Sequence, residues 1–484
     1  MSKTITSLID ESLIIDVLGD TYAELAGIAR DSREVDDDYA FIAIKGTATD
    51  GHHHIDDAVK RGAVAIVVED MPTQRHQGVT YVHVSSSKKA LGQIASNWYD
   101  NPSEDVQIIG VTGTNGKTTV ATLLFQLLQM SDEKSGLITT AETIIGHEVR
   151  PRTDQTPTTP DPLTLHKLLR EMADAGCTHV CMEVSSHAMH QHRVEGVHFA
   201  GGIFTNITHD HLDYHGTFEA YLEAKQSFFD ILPETAFALA NLDDDNGPFM
   251  LQNTKAATYY YGLNTQSDFD LDISKTDITG SKISINEHEI NLPLPGVYNA
   301  YNAAAAFGAA VLLGIEEERL PRVMQRLVAP PGRFEVLRRP DGKIGILDYA
   351  HTPDALENLL QTVRDFGSDR RIITVFGAGG DRDSSKRATM GRVAARFSDH
   401  ILVTSDNPRS EDPLRIANDI LDGIPKDKRD DTTVSPDREE AIKAALLIAG
   451  KGDVIVLAGK GHETYQEVRG TKLPFSDKEV FLGA

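Results

Sequence analysis

Two cysteines in 484 residues leave no material for a disulfide framework. Positive charge is also scarce. The chain has 47 Lys and Arg against 72 Asp and Glu, a formal net charge of −25. That excess of acid argues against general nucleic-acid binding and against docking on anionic lipid. Any anionic ligand must be met by local basic groups and backbone amides. The longest apolar run, AAAAFGAAVLLGI from Ala303, falls well short of the ~20 residues that cross a bilayer and reads as a buried core helix. The opening MSKTITSLIDESLIID lacks the basic-then-apolar pattern of a signal peptide. Repeats and low-complexity tracts are absent. What is present is ordinary: 40% hydrophobic and 25% charged residues, on a chain too long for one core. The expectation is a soluble, cytoplasmic, multidomain monomer.

Two clusters suggest metal. Cys177 and Cys181 bracket His179, but no second ligand pair stands at zinc spacing, so a buried strand is the expected reading. In GHHHIDD, from Gly51, three adjacent histidines in extended chain would alternate faces and could not share one ion. A solvated loop is expected there.

Short β-branched runs alternate with helical patterns, which indicates an α/β protein with mostly parallel sheets. FIAIKG, AVAIVVED and YVHVS mark a small first domain, closed by the turn-rich WYDNPSEDVQ. A second block runs from VQIIGVTG to the helix YNAAAAFGAAVLLG and breaks at LVAPPGRFEVL. A third holds the strands RIITVFG, HILVTS and DVIVLAG. The expected domains are residues 1–102, 103–332 and 333–484, the middle one like a P-loop ATPase and the last Rossmann-like.

VQIIGVTGTNGKTTVATLLFQLL reads as a strand, a glycine-rich turn and an amphipathic helix. Backbone N–H groups of such a turn, with the helix N-terminus, cradle phosphate oxygens. Lys117 would reach the terminal phosphates and the Thr118 hydroxyl would ligate Mg²⁺. The strict spacing is not met, since its first glycine position is Val111. Gly-Lys-Thr at a strand–helix junction is still much more specific than glycine alone.

TGTNGKTT, with MEVSSH at 182–187, FTNITHDHLDYHG at 204–216, PGRFE at 331–335 and DYAHTPDAL at 348–356, resembles the Mur ligase family, in that family's order and over all three domains. The resemblance implies an ATP-dependent amide ligase of peptidoglycan precursor synthesis. A carboxylate is phosphorylated, and an amine attacks the acyl phosphate. It is strongest to members that join meso-diaminopimelate to UDP-N-acetylmuramoyl-L-alanyl-D-glutamate, so ATP, that muropeptide and that diamino acid are the implied partners. The implied ATP site is Gly113, Thr114, Asn115, Gly116, Lys117, Thr118 and Thr119, with Asn302 opening a helix and Arg333 and Asp348 at the hinge into the third domain. Lys117, Glu183, His211 and Lys225 match the catalytic positions. Thr118, Glu183, His211 and Lys225, the last as a CO₂-derived carbamate, match Mg²⁺ ligands. Read alone, Lys225 is a lysine on an amphipathic helix and would be solvated; a carbamate requires a neutral amine. Ser32, Thr47, Ala48 and Thr49 match the uridine side. Thr158, Thr159, Ser185, Gln191 and Arg193 match other muropeptide contacts.

Ligands of open α/β sheets bind beyond the carboxyl ends of the strands. Three such ends in the last domain carry polar loops: Arg382 after IITVFG; Asp406, Asn407, Pro408 and Arg409 after ILVTS; Gly459 and Glu463 after VIVLAG. An arginine fork suits the distal carboxylate of diaminopimelate, which lysine lacks. Asp406 and Glu463 suit the distal ammonium. Three rivals stay open from the residues; the first two are a related ligase adding lysine or glutamate, and a P-loop NTPase that switches a partner. A structural protein with vestigial loops is the third.

Overall fold

The computed structural model describes residues 3–46, 49–151, 157–367 and 370–483. Its contacts fall into two compact units, residues 1–110 with 133–200 and residues 111–132 with 201–484.

In the first unit, five strands lie in the order Ile14–Leu18, Thr80–Val84, Ala63–Val68, Tyr39–Ile42, Gly27–Ala29. Ile14–Leu18 is antiparallel and the rest are parallel. Ala63–Val68 is apolar along its length because both its faces are covered, as parallel strands require. The same unit pairs Ser135–Ile138 in parallel with His179–Glu183 and extends them by the antiparallel strands Thr143–Ile145 and Glu148–Arg150. The helix Pro162–Asp174 starts at Asp161, whose carboxylate accepts from the N–H groups of Leu163 and Thr164, with proline in the first turn.

Two expectations change here. Gly51–His54 is a 3₁₀ turn rather than an extended loop. His52 turns inward: Nδ1 lies 2.7 Å from Asp50, and Nε2 accepts from the N–H groups of Glu69 and Asp70. The histidine thus ties two loops together. Cys181 lies in the strand His179–Glu183 as read, and burial pushes its thiol up. Cys177 is buried just before that strand.

In the second unit, the helix Lys117–Met130 packs on the alanine-rich helix Val297–Leu312, whose small side chains allow close approach. Ala303–Ala310 is buried, as its composition implied. Asn302, however, sits in the second turn of its helix and does not open it, because Gly296 starts the helix earlier. Strands Phe237–Asn241 and Ala257–Gly262 run parallel, followed by an antiparallel meander, Phe269–Asp277, Gly280–Ile285 and His288–Leu292.

The C-terminal sheet is ordered Glu335–Arg338, Ile344–Asp348, Val454–Ala458, Ile372–Phe376, His400–Val403, Thr432–Val434. All but the first run parallel. Parallel register brings the carboxyl ends Asp348, Ala458, Phe376 and Val403 to one edge. Behind that edge Arg438 and Asp477 form a bidentate pair, 2.7 Å at both contacts, with neither side chain exposed. Arg438 also donates to the carbonyls of Ser405 and Ala458, where two of the edge loops begin. Asp477→Ala would leave a buried guanidinium without its counter-ion. It is expected to cost about 3–5 kcal/mol, read as a lower urea midpoint, with the apolar double replacement Arg438→Met/Asp477→Leu recovering most of the loss.

Candidate functional site

The phosphate loop follows the strand Gln107–Thr112 and ends at Gly116, which caps the helix Lys117–Met130. Gly113 has φ +145°, and a Cβ there would stand 1.9 Å from the Thr205 hydroxyl, so a side chain is excluded. Thr114 N donates to Asn206 O, Asn115 N to the Asn206 side chain, and the Thr205 hydroxyl to Asn115 O at 2.6 Å. Lys117 Nζ curls over the loop and donates to the carbonyls of Gly113 and Thr114 at 2.9 and 2.7 Å. Thr118 and Thr119 are buried in the first turn. Asn302 lies beside Gly116 and donates to Asn299.

Lys225 is fully buried, against the solvated reading of its helix. Its Nζ donates to Gly113 O at 2.6 Å and stands 4.7 Å from the Tyr221 ring centre. Burial first, and the nearby Lys117 ammonium second, push its pKa well below the usual lysine value. The amine is thereby biased toward its neutral form. His211 adopts φ +56° at the start of a short helix, next to the buried Asp210. Burial alone would raise the Asp210 pKa. His211 at 3.5 Å, Lys386 at 3.8 Å and His351 at 4.0 Å instead hold its carboxyl well below the usual range.

The segment after residue 332 reaches the phosphate loop twice. Arg333 Nη2 donates to Thr118 Oγ1 at 3.0 Å while its guanidinium stacks on Tyr349. Asn115 donates to Asp354 at 3.0 Å. Asp348 accepts from the N–H groups of Phe334 and Ala350, and burial pushes its carboxyl up.

At the carboxyl edge of the C-terminal sheet the three expected loops converge. Asp406 and Asn407 are buried. Asn407 donates to Glu463 at 2.9 Å. Gly459 has φ +110°, and a Cβ there would come within 2.8 Å of an Asp406 carboxylate oxygen. Arg409 follows Pro408 with φ +51°. Its Nη1 donates to Gly380 O at 2.7 Å and its Nε faces Glu467 at 3.3 Å. Its backbone is fixed on both sides, N–H to Glu467 O and carbonyl from Arg469 N–H. Arg382 is exposed, on the neighbouring loop, with a contact to the Asp381 carbonyl. Lys460, unnoticed in the sequence, is wholly buried between Glu463 at 2.8 Å and Asn407 at 3.2 Å.

The first unit carries the remaining residues. Glu183 is buried and accepts from Thr140 N at 2.7 Å and its hydroxyl at 3.2 Å. The Thr140 hydroxyl also meets Thr158, and Thr159 bridges Glu183 O and Ser185 N. Arg193 donates to Thr159 O and to Gln191. These residues therefore form one connected group. Ser32 is buried in a separate 3₁₀ turn capped by Asp31. The Thr49 carbonyl accepts from Gly46 N–H. Thr47 and Ala48 lie outside the described residues.

Asp210, Asp354, Lys386, Lys460 and Glu467 were not singled out in the sequence. For Lys460 a signal existed: it lies inside the strand-end loop AGKGHE, beside Gly459.

Three family models match: "Mur ligase family, catalytic domain" over residues 24–99, "Mur ligase middle domain" over 111–310, and "Mur ligase, glutamate ligase domain" over 332–461. The UDP-N-acetylmuramoyl-L-alanyl-D-glutamate–2,6-diaminopimelate ligase of Bacteroides fragilis is 48% identical over 96% of this chain and 96% of its own length. Its counterpart from Aquifex aeolicus is 42% identical over 94% and 92%. A solved structure of a ligase of that name aligns with TM-score 0.69 at 30% identity, covering 99% of this chain and 98% of that one. The MurF ligase of Thermotoga maritima, solved with ADP, shares the fold at TM-score 0.63 and 20% identity, over 89% of this chain and 93% of its own.

Proposed function

The chain belongs to the Mur ligase family, and from that membership we propose that it is an ATP-dependent ligase joining meso-diaminopimelate to UDP-N-acetylmuramoyl-L-alanyl-D-glutamate in peptidoglycan precursor synthesis. The observation that carries the choice of amino acid is the convergence of Arg409, Asp406 and Glu463 at one sheet edge. An arginine fork with two carboxylates matches a distal end bearing both a carboxylate and an ammonium.

A D-glutamate side-chain carboxylate oxygen attacks the γ-phosphorus and ADP leaves. The amine nitrogen of diaminopimelate then attacks the acyl carbon, phosphate departs, and the nitrogen sheds a proton. Residues 113–119 bind the phosphates, with Lys117 moving from the loop carbonyls to the transferred group. Asn302 and Arg333 serve the nucleotide, and Asp348 fixes the backbone after Arg333. Thr159, Ser185, Gln191 and Arg193 orient the muropeptide, with Ser32 and Thr49 on its uridine end. Residues 1–102, 103–332 and 333–484 divide these tasks.

No cluster of three or more His, Cys, Asp or Glu suited to a metal occurs among the described residues. A Mg²⁺ at the phosphates would need only one or two protein oxygens, the rest coming from substrate and water. Thr118, Glu183, His211 and a carbamate on Lys225 match the family's Mg²⁺-ligating positions and would supply its protein donors, Thr118 to the ion on the nucleotide and Glu183 and His211 to a second. Bound there, Mg²⁺ would neutralise phosphate charge. No helix among the described residues is long and apolar enough to cross a membrane. With its relatives of the Mur ligase family, we place the enzyme in the cytoplasm, as a monomer.

Phosphate release with ATP, Mg²⁺ and the UDP-muramoyl dipeptide tests the reading. Release is expected with meso-diaminopimelate and at most weakly with L-lysine. Equal release with both would remove the specificity assignment. Release needing neither amino acid nor muropeptide would instead make the protein a regulatory NTPase.

A further inference from the structure

Lys460 is a cation buried where a cationic group of the substrate is expected to bind. Its side chain has no exposed surface. Its ammonium donates to Glu463 Oε2 at 2.8 Å and Asn407 Oδ1 at 3.2 Å, lies 3.9 Å from Asp406 Oδ1, and faces the Tyr465 ring at 5.6 Å. An ammonium out of water is tolerated only when paired. Here the hydrogen-bond and ion-pair partners are residues assigned to the amino-acid pocket, with the Tyr465 ring alongside.

Arg438 is matched by Asp477 and Arg409 faces Glu467. Asp406 and Glu463 both lie beside Lys460. Lys460 and Asn407 both hold Glu463 Oε2, which leaves Oε1 turned toward the Tyr349 hydroxyl at 3.5 Å. Asn407 is fixed as well, its Oδ1 accepting from Lys460 and from Glu467 N–H at 2.9 Å.

We propose that Lys460 is a positioning residue for the amino acid: it locks Glu463 and Asn407 in place so that Glu463 meets the distal ammonium. This rests on the diaminopimelate reading above.

Steady-state kinetics of Lys460→Met and Lys460→Arg test it. Lys460→Met is expected to raise KM for diaminopimelate roughly 10–100-fold, with KM for ATP and for the muropeptide changing less than about two-fold. Lys460→Arg, which keeps the charge, is expected to recover most of the loss. Lys460→Gln, a neutral donor, serves if the methionine variant melts early, and should fall between the two. An unchanged KM for diaminopimelate would overturn the proposal. So would a parallel rise of all three KM values, or failure of arginine to outperform methionine and glutamine. A wild-type enzyme that does not use diaminopimelate would instead refute the functional reading itself.

Discussion

Lys225→Met is expected to lower turnover about 10²–10³-fold, the size of losing one preorganised group at a developing charge, while ADP still binds. The native amine is buried and hydrogen-bonded to Gly113 O, and desolvation with Lys117 favours its neutral form. A neutral amine has the lone pair that adds to CO₂. The product is an oxygen donor in place of a cation. Methionine fills similar space and cannot make that change. Carbon-13 bicarbonate should give a carbamate signal in the native protein and none in the variant. A variant of native turnover would sink the assignment. Stability carries the same signature. The folded pKa lies below the unfolded one, so between the two the unfolded chain holds the extra proton and stability rises with pH. In CO₂-free buffer the urea midpoint of the native protein should therefore climb with pH more steeply than that of Lys225→Met. Equal slopes would show that the buried amine does not titrate as described.

Arg409→Ala is expected to raise KM for diaminopimelate about 10²–10⁴-fold, since two charge-assisted hydrogen bonds of about 1.5–3 kcal/mol each are at stake. KM for ATP should stay within about two-fold. The backbone at φ +51° is unusual for a residue with a Cβ. It is held by main-chain bonds to Glu467 and Arg469 rather than by the guanidinium, so alanine leaves the turn in place. Arg409→Lys tests the fork against the charge: it should recover little, because an ammonium cannot grip a carboxylate bidentately. Preference for diaminopimelate over lysine should narrow in both variants. Equal loss of ATP and diaminopimelate binding would contradict the placement of Arg409 in the amino-acid pocket.

The phosphate loop and the three strand-end loops were legible because their signals are local: a glycine-rich turn between strand and helix, and polar loops after apolar runs. The burial of Lys225 was not legible in its own stretch of sequence. Its own helix suggested solvent, although Tyr221 one turn earlier shares its face and is buried. Asn302 was misplaced because the glycine start at 296 is a weaker cap signal than an asparagine. The meander over 269–292 alternates buried and exposed positions, a period-two pattern overshadowed by the parallel strands around it. Lys386 beside Asp210, Asp354 beside Asn115 and Glu467 beside Arg409 join segments far apart in the chain. No short window contains both partners.

The hydrogen bond from Arg333 to the Thr118 hydroxyl has a thermodynamic corollary. The oxygen that accepts from this guanidinium of the C-terminal segment is, in the proposed reaction, also a ligand of the cation that accompanies nucleotide. Whatever strengthens one claim weakens the other by an equal free energy, in both directions. Nucleotide arrival would loosen the tether of Arg333, and any ligand that draws Arg333 away would make the loop a better host for metal and phosphate. One threonine oxygen thus gives the two ends of this unit a common equilibrium without a dedicated regulatory site.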